Sequence, residues 1–380
     1  MPCLNEADTV AACVAAARRA LADAKLDGEV VVADNGSTDR SRELARCAGA
    51  RVVDVPRRGY GSALMAGIEA AAGRYIVMGD ADESYDFAET PKFVAKLEQG
   101  HDLVQGCRLP AGGGRIMAGA MPFLHRWWGN PMLSWLARWW FRAPITDVYC
   151  GLRGFTKEAY SKLRLQCTGM EFATEMIVRA SLLELKVGEV PITLRPDGRR
   201  SRPSHLRTFR DGWRTLRFYL LLSPRWLFFV PGLALFVLGA SSALAGYAGA
   251  RIGSVGLDVH TLLFGSLMMI AGYQGVIFAI LTKTFAINAQ LLPPDGRVQR
   301  FAGLVSLERG LLVGAALVAV GLVLLVATIL TWVERDLGAL DYPRTMRIAI
   351  PGVLCTVLGL QTIQFVFFAG VLQLDRRPPA

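Results

Sequence analysis

Charge is missing from four long stretches of this sequence. Residues 226–249, 261–282, 310–333 and 348–374 contain no Asp, Glu, Lys or Arg. Each is long enough to cross a hydrocarbon core as a helix, which takes about 20 apolar residues. A wholly soluble protein is thereby excluded. Metal-binding cysteine patterns are missing too. The seven cysteines, at 3, 13, 47, 107, 150, 167 and 355, form no CxxC pair, and no Cys/His cluster has zinc spacing. That argues against a zinc module and reads as free buried thiols in a reducing compartment. The opening residues, "MPCLNEADTV", show neither a basic n-region nor an apolar h-region. The globular half is therefore expected to stay in the cytoplasm. Lysine is absent from 195–217, where eight arginines stand.

What is present is unevenly spread. The 380 residues are 52% hydrophobic and carry a net charge of +10. Mean hydropathy is +0.34, high for a soluble protein. Residues 1–194 nonetheless read as an ordinary soluble α/β domain. A basic segment, 195–225, leads into four spans within 226–374, and a cytoplasmic tail, 375–380, follows. The second loop between spans holds Lys283, Arg297, Arg300 and Arg309, whereas acids offset the arginines of the first and third loops. By the positive-inside rule, the expected arrangement is a multi-pass cell-membrane protein with both termini and the globular domain cytoplasmic.

Within the first domain, helices are expected over 8–24, 38–48, 60–73 and 90–100, and strands over 29–34, 51–55, 74–80 and 101–108. Alternation with continuously apolar strands predicts a mostly parallel, Rossmann-like sheet covered on both faces. Ligands of such sheets bind beyond the carboxyl ends of the strands. Two acidic turns lie there. One carries Asp34 and Asp39; the other, "MGDADESYDF", carries Asp80, Asp82, Glu83 and Asp86. Carboxylates one residue apart on an extended turn suit a hard divalent cation such as Mg²⁺, shared with substrate phosphates. The competing reading is a solvated acidic turn with capping duties.

Residues 121–142 hold five of the eight tryptophans together with Arg126, Arg138 and Arg142. That composition suits a membrane–water interface, or an aromatic core. The arginine run at 195–217 suits anionic lipid or a lipid phosphate, or is a topology signal alone. Nucleic acid is not an expected partner. A homo-oligomer is allowed.

The ordered motifs "PCLNE", "VADNGSTD", "RGYGSALMAGI" and "YIVMGDADESYDF" resemble those of family 2 inverting glycosyltransferases, which have a GT-A fold. Further on, "LVQGCR", "ITDVYCGLRGFTKEAY" and "GMEFATEM" look like the polyprenyl-phosphate sugar synthases of the dolichyl-phosphate mannose synthase group. The resemblance covers roughly residues 1–215. It implies a GT-A domain joined to four transmembrane helices. It implies transfer of a sugar from a nucleotide-diphosphate sugar (GDP-mannose or UDP-glucose type) to a polyprenyl phosphate of undecaprenyl or dolichyl kind, with Mg²⁺ or Mn²⁺.

It also implies roles for residues. Pro2, Asn5 and Glu6 would line the nucleotide pocket, with Asp34 and Asp39 near base and ribose. Asp80 would contact the nucleotide side and the metal, and Asp82 would bind the metal. Ser84 stands where some relatives carry a further metal-binding Gln. Arg108, Arg126 and Asn130 would meet the acceptor's phosphate. Among Arg195, Arg199, Arg200 and Arg202, the favoured phosphate partners are Arg200 and Arg202. Glu175 would orient the sugar or an arginine, or only pack. Two alternatives stand beside this reading. Transfer to a hydroxyl, as on a glycolipid, would need a base such as Asp147 or Glu175. A non-catalytic lipid-carrier flippase or scaffold would have no need of the acids. Relatives carry an apolar strand before the "PCLNE" turn, where only Met1 stands. A strand's usual length plus a short tail leads to the expectation of about 8–15 further residues there.

Overall fold

The computed structural model describes residues 1–199, 208–296 and 306–373. Arg200 and Arg202, both favoured above, lie outside the described residues. The chain divides into two compact units, Met1–Tyr219 and Leu220–Ala380.

The first unit begins with β1 (Pro2–Cys3), α1 (Val10–Asp23), β2 (Val31–Asp34), α2 (Ser41–Cys47), β3 (Arg51–Asp54) and α3 (Tyr60–Ala70). It continues with β4 (Tyr75–Met78), α4 (Thr90–Glu98), β5 (Leu103–Cys107), β6 (Arg115–Ile116) and α5 (Asn130–Phe141). Next come β7 (Arg153–Thr156), α6 (Lys157–Leu163), α7 (Glu171–Leu182), β8 (Val187–Pro191), β9 (Thr193–Leu194) and α8 (Thr208–Leu222). Every expected helix and strand is present with trimmed ends.

β1, β2 and β3 pair in parallel, with Cys3 opposite Asp34 and Asp34 opposite Asp54. A second sheet runs β4, β7, β5, β8. Its β5–β8 pairing is parallel, but β7 enters antiparallel between β4 and β5. The segment "RGFT" gives no apolar strand signal, because it opens with Arg153. That guanidinium is fully buried. It is satisfied by the carbonyls of Cys150 (2.9 Å), Val148 (2.8 Å) and Ala173. A buried cation normally needs such partners.

β1 supplies only two strand residues, and the Met1 amine donates to the Val31 carbonyl at 2.8 Å. A cavity of about 330 Å³ lies there, its lining including Met1, Val31, Ala33, Tyr75 and Val77. Elsewhere the core is dense: Val10, Val14, Val32, Phe93, Val104 and Leu152 belong to one buried cluster.

After a π-helical turn at His125–Gly129, α5 buries Leu133, Ser134, Ala137 and Phe141. Its opposite face leaves Trp128, Met132, Trp135 and Trp139 exposed. The helix is therefore apolar on both sides: Trp135 and Trp139 face outward, while Trp140 packs against the buried Tyr219, ring centroids 6.5 Å apart.

The second unit contains α9 (Val230–Ala248), α10 (Val259–Asn288), α11 (Leu307–Val333) and α12 (Tyr342–Gln373). Among the described residues, four helical segments are long and apolar enough to span a membrane: Arg225–Ala248, Val259–Asn288, Leu307–Val333 and Tyr342–Leu372. Glycines set their pairing. A Cβ on Gly239 would lie 2.6 Å from the Gly265 carbonyl, and one on Gly359 would lie 2.7 Å from the Gly314 carbonyl. Small residues let helix backbones approach where no hydrophobic effect drives association. Tyr273 and Thr362 share a 2.7 Å hydrogen bond between α10 and α12, and Gln361 donates to Gln274 at 2.7 Å.

Candidate active site

Strand ends and the turns that follow them build the site. β4 ends at Met78, and the turn after it carries the paired acids. Asp80 accepts from the Tyr60 hydroxyl at 2.9 Å, which ties the turn to the start of α3. Burial, then the neighbouring Asp82 charge, pushes its pKa up to about 6. Gly151 abuts it: a Cβ there would stand 2.7 Å from Asp80 Oδ2. The "YCGLRGF" motif thus supplies a glycine where the second sheet meets the acid. Asp82 Oδ1 accepts from the Ser84 amide at 3.0 Å and the Ser84 hydroxyl at 2.5 Å. Its Oδ2 faces Arg199 Nη1 at 3.3 Å. The four acids of this turn therefore divide their work. Asp86 caps the short helix at Phe87–Glu89, Glu83 sits exposed at φ +64°, and Asp80 and Asp82 turn inward.

The first two turns are laced together. Asn5, at φ +59°, receives the Thr38 amide on its side-chain oxygen at 2.8 Å, and its own amide donates to Ser37 Oγ at 2.8 Å. The Glu6 amide donates to Ser41 Oγ at 2.8 Å. Asp39 braces both turns, accepting from Ser41 N (3.0 Å), Ser41 Oγ (2.5 Å) and Ala7 N (3.3 Å). Asp34 is buried. Its Oδ2 receives Gly36 N, Ser37 N and Arg42 Nε at 3.2, 3.0 and 3.2 Å. Its Oδ1 is buried with no hydrogen-bond partner. An orphaned carboxylate oxygen is costly, and it suits a donor on an arriving ligand. Asn35 then links the β2 turn to the segment after β3, bonding Val55 O, Arg57 O and Gly59 N at 3.2, 2.8 and 2.6 Å.

Arg108 follows β5 and forks onto Asp147, with Nε to Oδ2 at 2.7 Å and Nη2 to Oδ1 at 2.9 Å. The Arg108 and Tyr149 amides also donate to Asp147, each at 3.1 Å. Burial, then the Arg108 charge, lowers the His125 pKa. Arg126 in that turn lies over the Trp127 ring at 5.5 Å. Asn130 donates to Met121 Sδ at 3.4 Å. Of the arginines after β9, Arg195 pairs with Asp86 at 2.5 Å. Arg199 forks onto Glu6, at 2.9 Å through Nε and 2.6 Å through Nη2.

Glu175 accepts from Gln166 N, Cys167 N and Arg179 Nε at 3.0, 2.8 and 3.0 Å. It braces the loop whose Thr168 carbonyl receives Ser62 N at 3.2 Å. Among the described residues, no group of three or more His, Cys, Asp and Glu side chains is placed to hold a metal. Asp80 and Asp82 still fit a hard divalent cation that takes its remaining oxygens from phosphate and water. The donors are carboxylates from one turn, and Asp82 Oδ2 is engaged, among the described residues, only by the Arg199 guanidinium, at 3.3 Å.

Sequence reasoning missed Tyr60, Asn35, Ser37, Gly151 and the contact of Arg199 with Glu6. The first four lie inside the quoted motifs.

A model of the family 2 glycosyltransferases matches residues 1–164, and one of the glycosyltransferase family 2 C-terminal transmembrane region matches 280–373. The low-salt glycan biosynthesis hexosyltransferase Agl6 of Haloferax volcanii is 37% identical over 98% of this chain and 88% of its own. This chain is a family 2 glycosyltransferase. A dolichyl-phosphate hexose transferase of the same organism is 34% identical over 44% of this chain and 70% of its own. Among solved structures, glucosyl-3-phosphoglycerate synthase from Mycobacterium tuberculosis, crystallised with Mn²⁺, UDP-glucose and phosphoglyceric acid, matches at TM-score 0.46. That match is 24% identical and covers 57% of this chain and 77% of that one. The family 2 assignment makes the chain a glycosyltransferase with a GT-A catalytic domain and a multi-pass membrane region.

Proposed function

We propose that this glycosyltransferase moves a hexose from a nucleotide-diphosphate sugar to a polyprenyl phosphate, at the cytoplasmic face of a membrane, with inversion. The observation that carries the reading is the state of the candidate bases. Asp147 is fully buried and holds Arg108, and Glu175 is buried and holds Arg179 and two amides. Neither is poised to take a proton from a hydroxyl acceptor. A phosphate monoester needs no such base, because its second pKa lies near 6. One phosphate oxygen attacks the anomeric carbon as the bond from that carbon to the diphosphate breaks. The electron pair leaves on the nucleoside diphosphate.

The residues then have work to do. Asp34 Oδ1 receives a donor from the base. Asn5 and Glu6 hold the turn beside it, with Pro2 fixing the turn's entry and Asp39 bracing it. Asp80 and Asp82 would hold Mg²⁺ or Mn²⁺, which neutralises the departing diphosphate when bound. Arg126 and Asn130 would meet the acceptor phosphate, for which a guanidinium is suited; Arg108, expected there as well, has its fork taken by buried Asp147 and instead holds the loop beside them. The exposed tryptophan face of α5 suits headgroup depth. The loop charges favour cytoplasmic termini, and the name of the dolichyl-phosphate hexose transferase favours a polyprenyl acceptor.

The test is a panel of radiolabelled nucleotide sugars on membranes, with polyprenyl phosphate, polyprenol or diacylglycerol as acceptor, followed by lipid extraction. Label should enter lipid with polyprenyl phosphate alone. Efficient transfer to polyprenol or diacylglycerol would replace this reading with the hydroxyl one. Absence of transfer from every donor would favour a scaffold.

A further inference from the structure

A strap of chain lies along the acidic turn. Leu194 bridges Tyr85, the Arg195 amide donates to Ser84 O at 2.9 Å, and the Gly198 amide donates to Asp82 O at 2.9 Å. Among the described residues the strap runs to Arg199, whose side chain is 12% exposed and reaches both Glu6 and Asp82. The two acids belong to turns far apart in sequence, so one guanidinium joins the first turn to the third. Ser84 engages Asp82 Oδ1. Oδ2, the oxygen left for a cation, is the one that Arg199 faces.

We propose that Arg199 is the resident counter-cation of this site and competes with the divalent metal for Asp82. In the ligand-free enzyme the guanidinium balances Glu6 and Asp82, so a free cation binds weakly. A divalent ion at metal–oxygen distance, about 2.0–2.1 Å for Mg²⁺, shares Oδ2 with a guanidinium nitrogen at 3.3 Å only at a cost. Like charges that close repel, strongly where water is excluded. A cation arriving on a nucleoside diphosphate brings negative oxygens with it. Those oxygens offer the displaced guanidinium a new fork. The exchange makes metal binding depend on nucleotide more steeply than shared ligation alone would. It also loosens the strap at Arg199 when the donor binds.

The inference rests on the reading of Asp82 as a metal ligand, and the experiment separates the two. Free Mn²⁺ is titrated into the purified full chain and followed by electron paramagnetic resonance, without nucleotide and then with UDP or GDP. Arg199→Gln is expected to bind Mn²⁺ at least about tenfold more tightly than wild type without nucleotide, and to show a smaller gain on adding nucleotide. Asp82→Asn in the Arg199→Gln background should remove the gain. If Arg199→Gln does not fold, Arg199→Lys carries the test. It keeps the charge but loses the fork on Glu6, and should gain about threefold. Unchanged or weaker Mn²⁺ binding in the folded Arg199 variant, with binding still lost on changing Asp82, overturns the competition and leaves the metal reading standing. Mn²⁺ binding indifferent to Asp82 overturns both.

Discussion

Arg108 and Arg199 both meet carboxylates beyond the strand ends, at 8% and 12% side-chain exposure. Asp147, the partner of Arg108, is fully buried, and each of its oxygens receives one guanidinium nitrogen and one backbone amide. The acid, the arginine and the loop form a closed set. Arg199 instead forks onto Glu6 and also faces Asp82 at 3.3 Å and, more loosely, Asp197 at 3.9 Å. A buried pair with every lone pair answered holds shape, and breaking it strands a charge. An arginine shared between two acids on different turns can trade one of them for a ligand. The same residue type thus serves as a fastener in one neighbourhood and as an exchangeable charge in the other.

The sharpest way to test the exchangeable side is to remove its acid. Asp82→Ala should lower sugar transfer by at least about a thousandfold, the upper scale for losing one charge-stabilising group. EDTA should do the same to the wild type. The thermal melt should fall far less than activity, because Arg199 keeps its fork on Glu6 and the substitution removes a like charge from beside Asp80. Full transfer in EDTA, or by the variant, would end the metal reading.

The closed side breaks differently. Asp147→Ala leaves Arg108 buried without its counter-charge, and should cost about 3–5 kcal/mol of stability. A melt of the full chain followed by tryptophan fluorescence measures it. A change below about 1 kcal/mol would mean that Arg108 finds another partner or water, and the contrast with Arg199 would fall. Arg126 is less confined, lying over Trp127. Arg126→Ala should therefore raise KM for polyprenyl phosphate about tenfold, on the scale of one charge-assisted contact, with KM for the nucleotide sugar and the melt unchanged. Equal loss for both substrates would remove Arg126 from the acceptor side.

Much of this was legible in the sequence for a physical reason. Strands buried on both faces read as unbroken apolar runs, so β2, β4 and β5 were found within two residues of their ends. The acidic turns stood out because carboxylates are rare at the end of a buried strand. β7 was hidden because its burial depends on Arg153 finding three carbonyls. No composition rule anticipates that. Asp39 was expected near base and ribose, and its carboxylate braces the Ser41 and Ala7 amides; Glu175, left between orienting a sugar or an arginine and packing, holds Arg179 and two amides. The sequence shows a carboxylate's charge but not which amides surround it. Of four arginines within eight residues, the reading favoured Arg200 and Arg202, which lie outside the described residues. The fold chooses for two: Arg195 goes to Asp86 and Arg199 to Glu6.

The smallest expected effect concerns the other oxygen of Asp82. Ser84 holds Oδ1 through its amide and its hydroxyl, at 3.0 and 2.5 Å. The amide bond survives any substitution that keeps the turn, so Ser84→Ala removes the hydroxyl bond alone. A single hydrogen bond of this kind is worth about 1 kcal/mol net, or about fivefold in a binding constant. The carboxylate would keep its place but lose part of its orientation, and Oδ2 would meet a cation less squarely. Mn²⁺ affinity in the presence of UDP or GDP should fall by about fivefold. Mn²⁺ affinity without nucleotide should fall by less, because Arg199 already limits it there. A loss as large as that of Asp82→Ala would show that the hydroxyl is itself a ligand. No loss at all would show that the amide alone sets the carboxylate, leaving the division of labour between the two oxygens to the backbone.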